Sequence, residues 1–380
     1  MNRLSDEEVR RYIRQIILPG IGPAGQEKLR DAAVLIVGVG GLGSPVSLYL
    51  AAAGIGRIGL VDHDSVSLSN LQRQVIHSTE EIGRPKVESA AKRLSALNPK
   101  IEIETYAEPF TSSSAERIGR GYDLIVDGTD NFPARYLIND LSLKLQIPFV
   151  YGAIFRMEGQ VSVFPGEGGP CYRCLFPEPP PPERVLTCEE AGVLGVVPGT
   201  IGTIQATEAI KMILGIGTPL AGRLLVYDAL TMRFETIAIS QDPDCPACTV
   251  PPEKIELTDY HGFCGVPTEG PGLPEEARIS PLELKGLIDA GERIRLIDVR
   301  QPSEWEISHI EGTELVPHDR LAEWMKDSDR GERIVAICKS GERSALVVSL
   351  LREAGFERAM NLEGGIDRWR DEVDPSLPDY

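Results

Sequence analysis

The sequence predicts an α/β protein, a doubly wound parallel sheet followed by a second, smaller α/β domain. Three observations predict it. Short apolar runs alternate with helical patterns before residue 249, as the strand and helix units of a parallel sheet require. A stretch from Thr249 to Ala277 then mixes Pro251, Pro252, Pro267, Pro271 and Pro274 with Gly262, Gly265, Gly270 and Gly272, and reads as a linker. Beyond it the alternation resumes over about 105 residues, enough for one compact domain.

In chain order, AAVLIVGVG is a buried strand running into a glycine turn, SPVSLYLAAAG a helix and RIGLVD the next strand. YDLIVDGTD is a further strand, followed by a helix through FPARYLINDLSLKLQ. Within FPEPPPPER, the prolines from Pro177 to Pro182 favour an extended surface crossing just before Cys188. After the linker, RIRLIDV and RIVAICKS are strands, and ERSALVVSLLREAG is a helix.

A length of 380 residues suits two or three domains, at about 150 residues each. The balance of 39 basic against 57 acidic residues gives a net charge of −18, which opposes nonspecific phosphate-backbone binding and anionic membranes; neither nucleic acid nor membrane is an expected partner. The uncharged stretch Ala32 to Gly56 is long enough to span a bilayer, yet its six glycines and Pro45 mark a strand, turn and helix instead. MNRLSDEEVRRYIRQ lacks the apolar core of a secretion signal, so a cytoplasmic location is expected. Seven cysteines, four of them in two C-x-x-C pairs, point in a reducing compartment to metal or thiol chemistry.

Gly38, Gly40 and Gly43 in VGVGGLG form a G-x-G-x-x-G after a strand and before a helix, where backbone amides and the helix N-terminus can meet a phosphate. Asp62 ends the next strand and could accept ribose hydroxyls. Alone, this motif most often means a dinucleotide-dependent oxidoreductase, or a tight turn with no ligand. SNLQRQ, GRPK and DGTDN extend it: Arg73 and Lys86 supply cations for a polyphosphate, and Asp130 sits at a strand's carboxyl end, where Mg²⁺ could be held. Taken singly, each of these residues could equally be a solvated charge or a helix cap.

In order, RYIRQIILPGIG, VGVGGLGS, VDxDxVxxSNLQRQ, GRPK, DGTDN and the ending DYHGFCG resemble the ubiquitin-activating-like adenylyltransferases that charge small sulfur-carrier proteins in molybdopterin and thiamine biosynthesis. The resemblance covers about Leu4 to Gly265. It implies a Rossmann-like adenylating domain over residues 1–265, ATP contacts at Gly41, Asp62, Ser69, Asn70, Leu71, Gln72, Arg73, Lys86, Asp130 and Asn131, and Mg²⁺ on Asp130. Arg14 matches the family arginine that reaches the neighbouring subunit's nucleotide, which implies a homodimer.

Cys171 and Cys174 form one C-x-x-C and Cys245 and Cys248 the other, and such knuckles supply four thiolates for a closed, structural zinc site. A redox-active pair is the alternative. The family resemblance implies zinc at the same four positions. Cys188 stands apart from both pairs. Glu189 and Glu190 beside it would raise its pKa, while a helix N-terminus or a base could lower it. By matching position, the resemblance makes it the cysteine that forms a thioester or mixed disulfide with the carrier.

Cys338 opens CKSGERS at the end of a strand and before a helix, where inward amides, the helix N-terminus and Arg343 would favour a thiolate. With Lys339 to Glu342 between cysteine and arginine, the ring is smaller than a phosphatase loop and suits a sulfane sulfur. The segment LIDVRxxxEWxxxHIxG from Leu296 to Gly312, CKSGERS and LEGGIDRW resemble the rhodanese family over about Ile279 to Trp369, with Thr313 where alanine or serine is common. This places a small α/β rhodanese domain at 279–380 and the linker at 266–278. His309, Asp298 and Arg300 are expected to order the structure and not to serve as acid or base.

Together the resemblances imply an enzyme, an adenylyltransferase and sulfurtransferase using ATP, Mg²⁺ and Zn²⁺. It would adenylate the C-terminal Gly-Gly carboxylate of a ubiquitin-like sulfur carrier and thiolate it with persulfide sulfur from Cys338, supplied by thiosulfate or a cysteine desulfurase. Three rivals remain at this point: a zinc-containing NAD-dependent oxidoreductase, a noncatalytic scaffold with a docking rhodanese module, and an activating enzyme that passes a ubiquitin-like modifier to a conjugating enzyme.

Overall fold

The computed structural model describes residues 4–179, 192–258, 260 and 273–379, apart from the side chain of residue 319. The chain divides into two compact units, Met1–Val266 and Pro267–Tyr380.

The first unit is built on an eight-stranded sheet. Its parallel part contains β1 (Ala33–Val37), β2 (Arg57–Val61), β3 (Glu102–Tyr106), β4 (Leu124–Asp127) and β5 (Phe149–Phe155); β6 (Glu158–Phe164), β7 (Arg223–Asp228) and β8 (Arg233–Ala238) continue it antiparallel, in the order β3-β2-β1-β4-β5-β6-β7-β8. The antiparallel extension is a feature the sequence pattern does not announce, because every residue of β8 is exposed and its large apolar residues, Phe234 and Ile237, do not mark one buried face.

Period-2 alternation along β1 divides two cores between the faces of this sheet. Val34 and Ile36 pack beneath α2 (Gly22–Asp31), α3 (Gly43–Ala53), α4 (Lys86–Leu97) and the helix Val196–Leu214. Ala33, Leu35 and Val37 pack against α5 (Ser112–Gly119) and α6 (Phe132–Leu145) on the other side. Such burial contributes about 25 cal/mol per Å² of apolar surface, so both layers hold the sheet edges that carry the site. The strand order reverses between β1 and β4, and open α/β sheets bind ligands beyond the carboxyl ends of strands at such a point.

The second unit is a five-stranded parallel sheet of β9 (Arg278–Ile279), β10 (Arg295–Asp298), β11 (Glu314–Leu315), β12 (Ile334–Ile337) and β13 (Ala359–Leu362), in the order β11-β10-β12-β13-β9. Central strand β12 is wholly buried, with Ile334 and Ala336 facing one core and Val335 and Ile337 the other. None of the described helices is long and apolar enough to cross a membrane.

Candidate functional site

At the β1/β4 reversal the chain opens a cavity of about 330 Å³. Its floor is the glycine turn. Gly38 has φ 90°, and a Cβ there would lie 2.6 Å from the Gly128 carbonyl oxygen, so no side chain fits between the ends of β1 and β4. α3 begins just beyond with no side-chain cap; its Ser44 N–H donates to the Gly40 carbonyl at 2.9 Å and Pro45 has no N–H, so the amides left to meet an anion are those of the glycine turn before it, with the positive end of the helix behind them. Gly40 and Gly41 line the cavity. Gly43 is absent from that lining; a Cβ on it would come within 2.0 Å of the Gly38 carbonyl oxygen, so its role is close packing of helix on turn.

Asp62 reaches the cavity, but one of its oxygens accepts the Val39 N–H at 2.8 Å and the other the Asp64 N–H at 2.9 Å. It therefore shapes the glycine turn as well as lining the cavity. Lys86, at the start of α4, is buried, and its Nζ lies 2.7 Å from Asp64 Oδ2. Burial works to raise the Asp64 pKa, but the hydrogen bond and charge of Lys86 prevail and hold it below the ordinary carboxylate range. Asp64 is the second acid of the VDxDxV segment, to which the motif reading assigns no role; the structure makes it the partner of Lys86.

Arg73 lines the cavity and donates to the Ser69 carbonyl at 3.0 Å. The segment from Ser69 to Gln72 does not itself line the cavity. It forms the short turn that carries Arg73, with the Asn70 carbonyl accepting the Arg73 and Gln74 amides at 3.1 and 2.9 Å. Asp130 and Asn131 both line the wall beyond β4, and Asn131 also caps α6 by accepting the Ala134 N–H at 2.9 Å. Beneath them Asp127 is fully buried; burial pushes its pKa up to about 6 against the pull of Arg135 and Thr129. Arg14 lies exposed on α1 (Asp6–Ile16), outside the lining of this cavity.

The four paired cysteines converge. Sγ–Sγ separations are 3.8 Å for Cys171 and Cys174, 3.5 Å for Cys171 and Cys245, and 3.5 Å for Cys174 and Cys248. A tetrahedron with metal–sulfur bonds of about 2.3 Å has edges of about 3.8 Å, so the set fits zinc. Burial raises the Cys171 thiol well above its ordinary pKa and Cys248 to about 11, while at Cys245 burial is outweighed by hydrogen bonds that hold the thiol below its ordinary value, so deprotonating Cys171 and Cys248 calls for a cation beside them. The knuckle is braced to α6: the Tyr172 N–H donates to Asn139 Oδ1 at 2.8 Å, and Arg173 pairs with Asp140 at 2.8 Å. Tyr260 donates to the same Asp140 and also lines the nucleotide cavity. Cys188 and Cys264 lie outside the described residues.

In the second unit Cys338 follows β12 and is buried at the base of its loop. Its Sγ accepts the Gly341 N–H at 3.1 Å and the Ser344 hydroxyl at 3.2 Å. Gly341, with φ 91°, takes the left-handed conformation that points this amide inward and starts the helix Glu342–Glu353. The terminal nitrogens of Arg343 lie on Glu304 at 2.9 and 2.7 Å, so its charge is matched by a carboxylate and orders the loop. Asp298 and Arg300 form a wholly buried ion pair at 2.6 Å, and His309 stacks on Trp305 with its Nδ1 at 2.9 Å from the Trp305 carbonyl. Ser344 and Glu304 fall inside the matched segments, but the motif reading assigns them no role.

Comparison with known proteins gives two family matches: the ThiF family over residues 12–247 and the rhodanese-like domain over residues 280–372. The chain is 46% identical to a probable adenylyltransferase/sulfurtransferase MoeZ of Mycobacterium tuberculosis, over 99% of this chain and 96% of that protein. It is 54% identical to a sulfur carrier protein adenylyltransferase of Thermus thermophilus, over 70% of this chain and 99% of the relative. Among solved structures, E. coli MccB with AMPCPP and MccA matches with a TM-score of 0.58 at 22% identity, covering 66% of this chain and 76% of that one, which shows a shared fold.

Proposed function

The chain belongs to the ThiF family and ends in a rhodanese-like domain, and on that premise we propose that it adenylates the C-terminal carboxylate of a ubiquitin-like sulfur-carrier protein and converts it to a thiocarboxylate. It is an adenylyltransferase and sulfurtransferase. The observation that carries the reading is the convergence of Arg73, Lys86 and Asp130 on one cavity floored by the glycine turn that leads into α3. A hydride-transfer enzyme has no need of that set of charges.

ATP would lie with its phosphates over Gly40 and Gly41, where backbone amides and the α3 terminus favour negative charge. Lys86, aligned by Asp64, and Arg73 would stabilise charge developing on the phosphates as the carrier carboxylate attacks the α-phosphorus and pyrophosphate leaves. Asp130 offers an exposed carboxylate oxygen, the hard donor that Mg²⁺ takes, and the ion would add Lewis-acid neutralisation of the phosphate oxygens. The four cysteines would hold zinc away from the chemistry, fixing the knuckle against α6. Exposed Arg14 is free of this cavity and suits the role of reaching the nucleotide of a second copy in a homodimer.

In the second unit, Gly341 N–H and Ser344 Oγ–H would stabilise the Cys338 thiolate and then its persulfide, loaded by thiosulfate or a desulfurase. The terminal sulfur of that persulfide would attack the acyl carbonyl and expel AMP, giving an acyl disulfide; a second thiolate, for which Cys188 is the candidate, would then attack the Cys338 sulfur, releasing the carrier thiocarboxylate and leaving a protein disulfide that an external thiol reduces. The test is exchange of labelled pyrophosphate into ATP with Gly-Gly carriers: the wild-type chain exchanges and Asp130→Ala does not. No exchange with any carrier would overturn the adenylation reading.

A further inference from the structure

A buried histidine outside the motifs touches the glycine turn. His77 is 8% exposed, and its Nε2 lies 3.1 Å from the Val39 carbonyl oxygen. Its Nδ1 is 2.8 Å from Ser89 Oγ on α4; the Ser89 hydroxyl reaches Glu81 at 2.7 Å, and Lys92 holds the other Glu81 oxygen at 3.1 Å. This relay runs from a surface lysine, through the helix that carries Lys86, to the floor of the cavity.

The carbonyl fixes the chemistry at the inner end. A carbonyl oxygen can only accept, so Nε2 must carry a proton. Burial and the charge of Lys86 act to deprotonate the ring, while the Val39 carbonyl, Asp62 and Glu81 act to protonate it, and the balance lies below the ordinary histidine pKa. In the imidazolium, Nδ1–H donates to Ser89 and Ser89 to Glu81. In the neutral ring, Ser89 turns its single proton toward Nδ1, and Nε2–H stays on Val39.

The Val39 carbonyl shares a planar trans peptide with the Gly40 N–H, and the two point in opposite directions. Asp62 holds Val39 from its other side, accepting the Val39 N–H at 2.8 Å. The Gly40 N–H has no hydrogen-bond partner among the described residues, and Gly40 lines the cavity. We propose that His77 is a positioning residue of the nucleotide site: by holding the Val39 carbonyl it turns the Gly40 N–H toward the cavity, where that amide donates to a phosphate of ATP. The inference rests on reading the cavity as an ATP site.

The test uses the full chain and ATP itself. His77→Phe keeps the ring volume and removes both nitrogens; the dissociation constant for ATP by calorimetry should rise about tenfold, the cost of one lost buried hydrogen bond. Ser89→Ala, which leaves the ring in place but loosens it, should raise it about threefold. In pyrophosphate exchange the effect should fall on KM for ATP more than on kcat. Nitrogen-15 spectra of the wild type, with the His77 signal identified by its loss in the variant, should show Nε2 protonated from about pH 6 to 8. A folded His77→Phe chain that binds ATP as tightly as wild type would overturn the inference, as would an unprotonated Nε2. A wild-type chain that binds no ATP would instead overturn the reading of the cavity, and this inference with it.

Discussion

Both terminal nitrogens of Arg343 rest on the Glu304 carboxylate, at 2.9 and 2.7 Å, beside the loop that holds Cys338. Each side chain is 14% exposed, so the pair is largely shielded from water. Removing one partner of such a pair leaves the other charge poorly solvated, which is why Glu304→Gln should cost the second unit about 2–3 kcal/mol. Trp305, Trp324 and Trp369 all lie in this unit and are the only tryptophans of the chain, so denaturation followed by tryptophan fluorescence reads it selectively.

The same pair sets an acid limit. Burial acts to raise the Glu304 pKa, but the Arg343 hydrogen bond, the Gln301 amide and the charges of Arg343 and Arg300 hold it below the ordinary value. A carboxylate depressed in the fold contributes stability that is present above its unfolded pKa of about 4.3 and is lost as pH falls through the folded value. The wild-type midpoint should therefore fall more steeply below about pH 4.5 than that of Glu304→Gln. Parallel curves would show that the pair contributes nothing.

Lys86 and Asp64 should separate charge from alignment. Lys86→Met removes the cation facing the phosphates and should lower kcat for pyrophosphate exchange by about a hundredfold or more. Asp64→Asn keeps the lysine but weakens its tether, and a loss of about three- to tenfold is expected. Equal losses in both variants would mean that Asp64 itself meets the substrate.

Zinc should be structural and confined to the first unit. Metal analysis should find about one zinc per chain, and Cys245→Ala or strong chelation should remove it, lower the melting midpoint of the first unit and stop pyrophosphate exchange. Sulfur transfer from thiosulfate to cyanide should survive. Loss of that activity together with the metal would contradict a closed structural site.

At the sulfur loop, Cys338→Ala should stop thiosulfate sulfurtransfer and leave pyrophosphate exchange intact. Ser344→Ala removes one of the thiol's two identified donors and should slow transfer about tenfold. Residual transfer in Cys338→Ala would send the search to Cys188 or Cys264.

Much of this was legible in the residues because the signals are local. An apolar run ending in glycines can hardly do other than turn from strand into helix, and the C-x-x-C spacing carries its own geometry. What stayed hidden was decided by tertiary pairing. Lys86 meets Asp64 across 22 positions and Arg343 meets Glu304 across 39, and neither separation has a periodic signature. His77 reads as one more residue after SNLQRQ until the fold lays it beneath Val39. Asn131 belongs to a matched motif yet also works as a helix cap, a double use that spacing alone cannot reveal.

One experiment joins the two units in a single product. The full chain is incubated with ATP, thiosulfate and candidate Gly-Gly carriers, and the intact mass of each carrier is measured. A cognate carrier should gain one sulfur in place of one oxygen, and only when ATP, thiosulfate and Cys338 are all present. Carriers that are adenylated but never acquire sulfur, or that acquire it without ATP, would contradict the coupling of nucleotide activation to persulfide delivery.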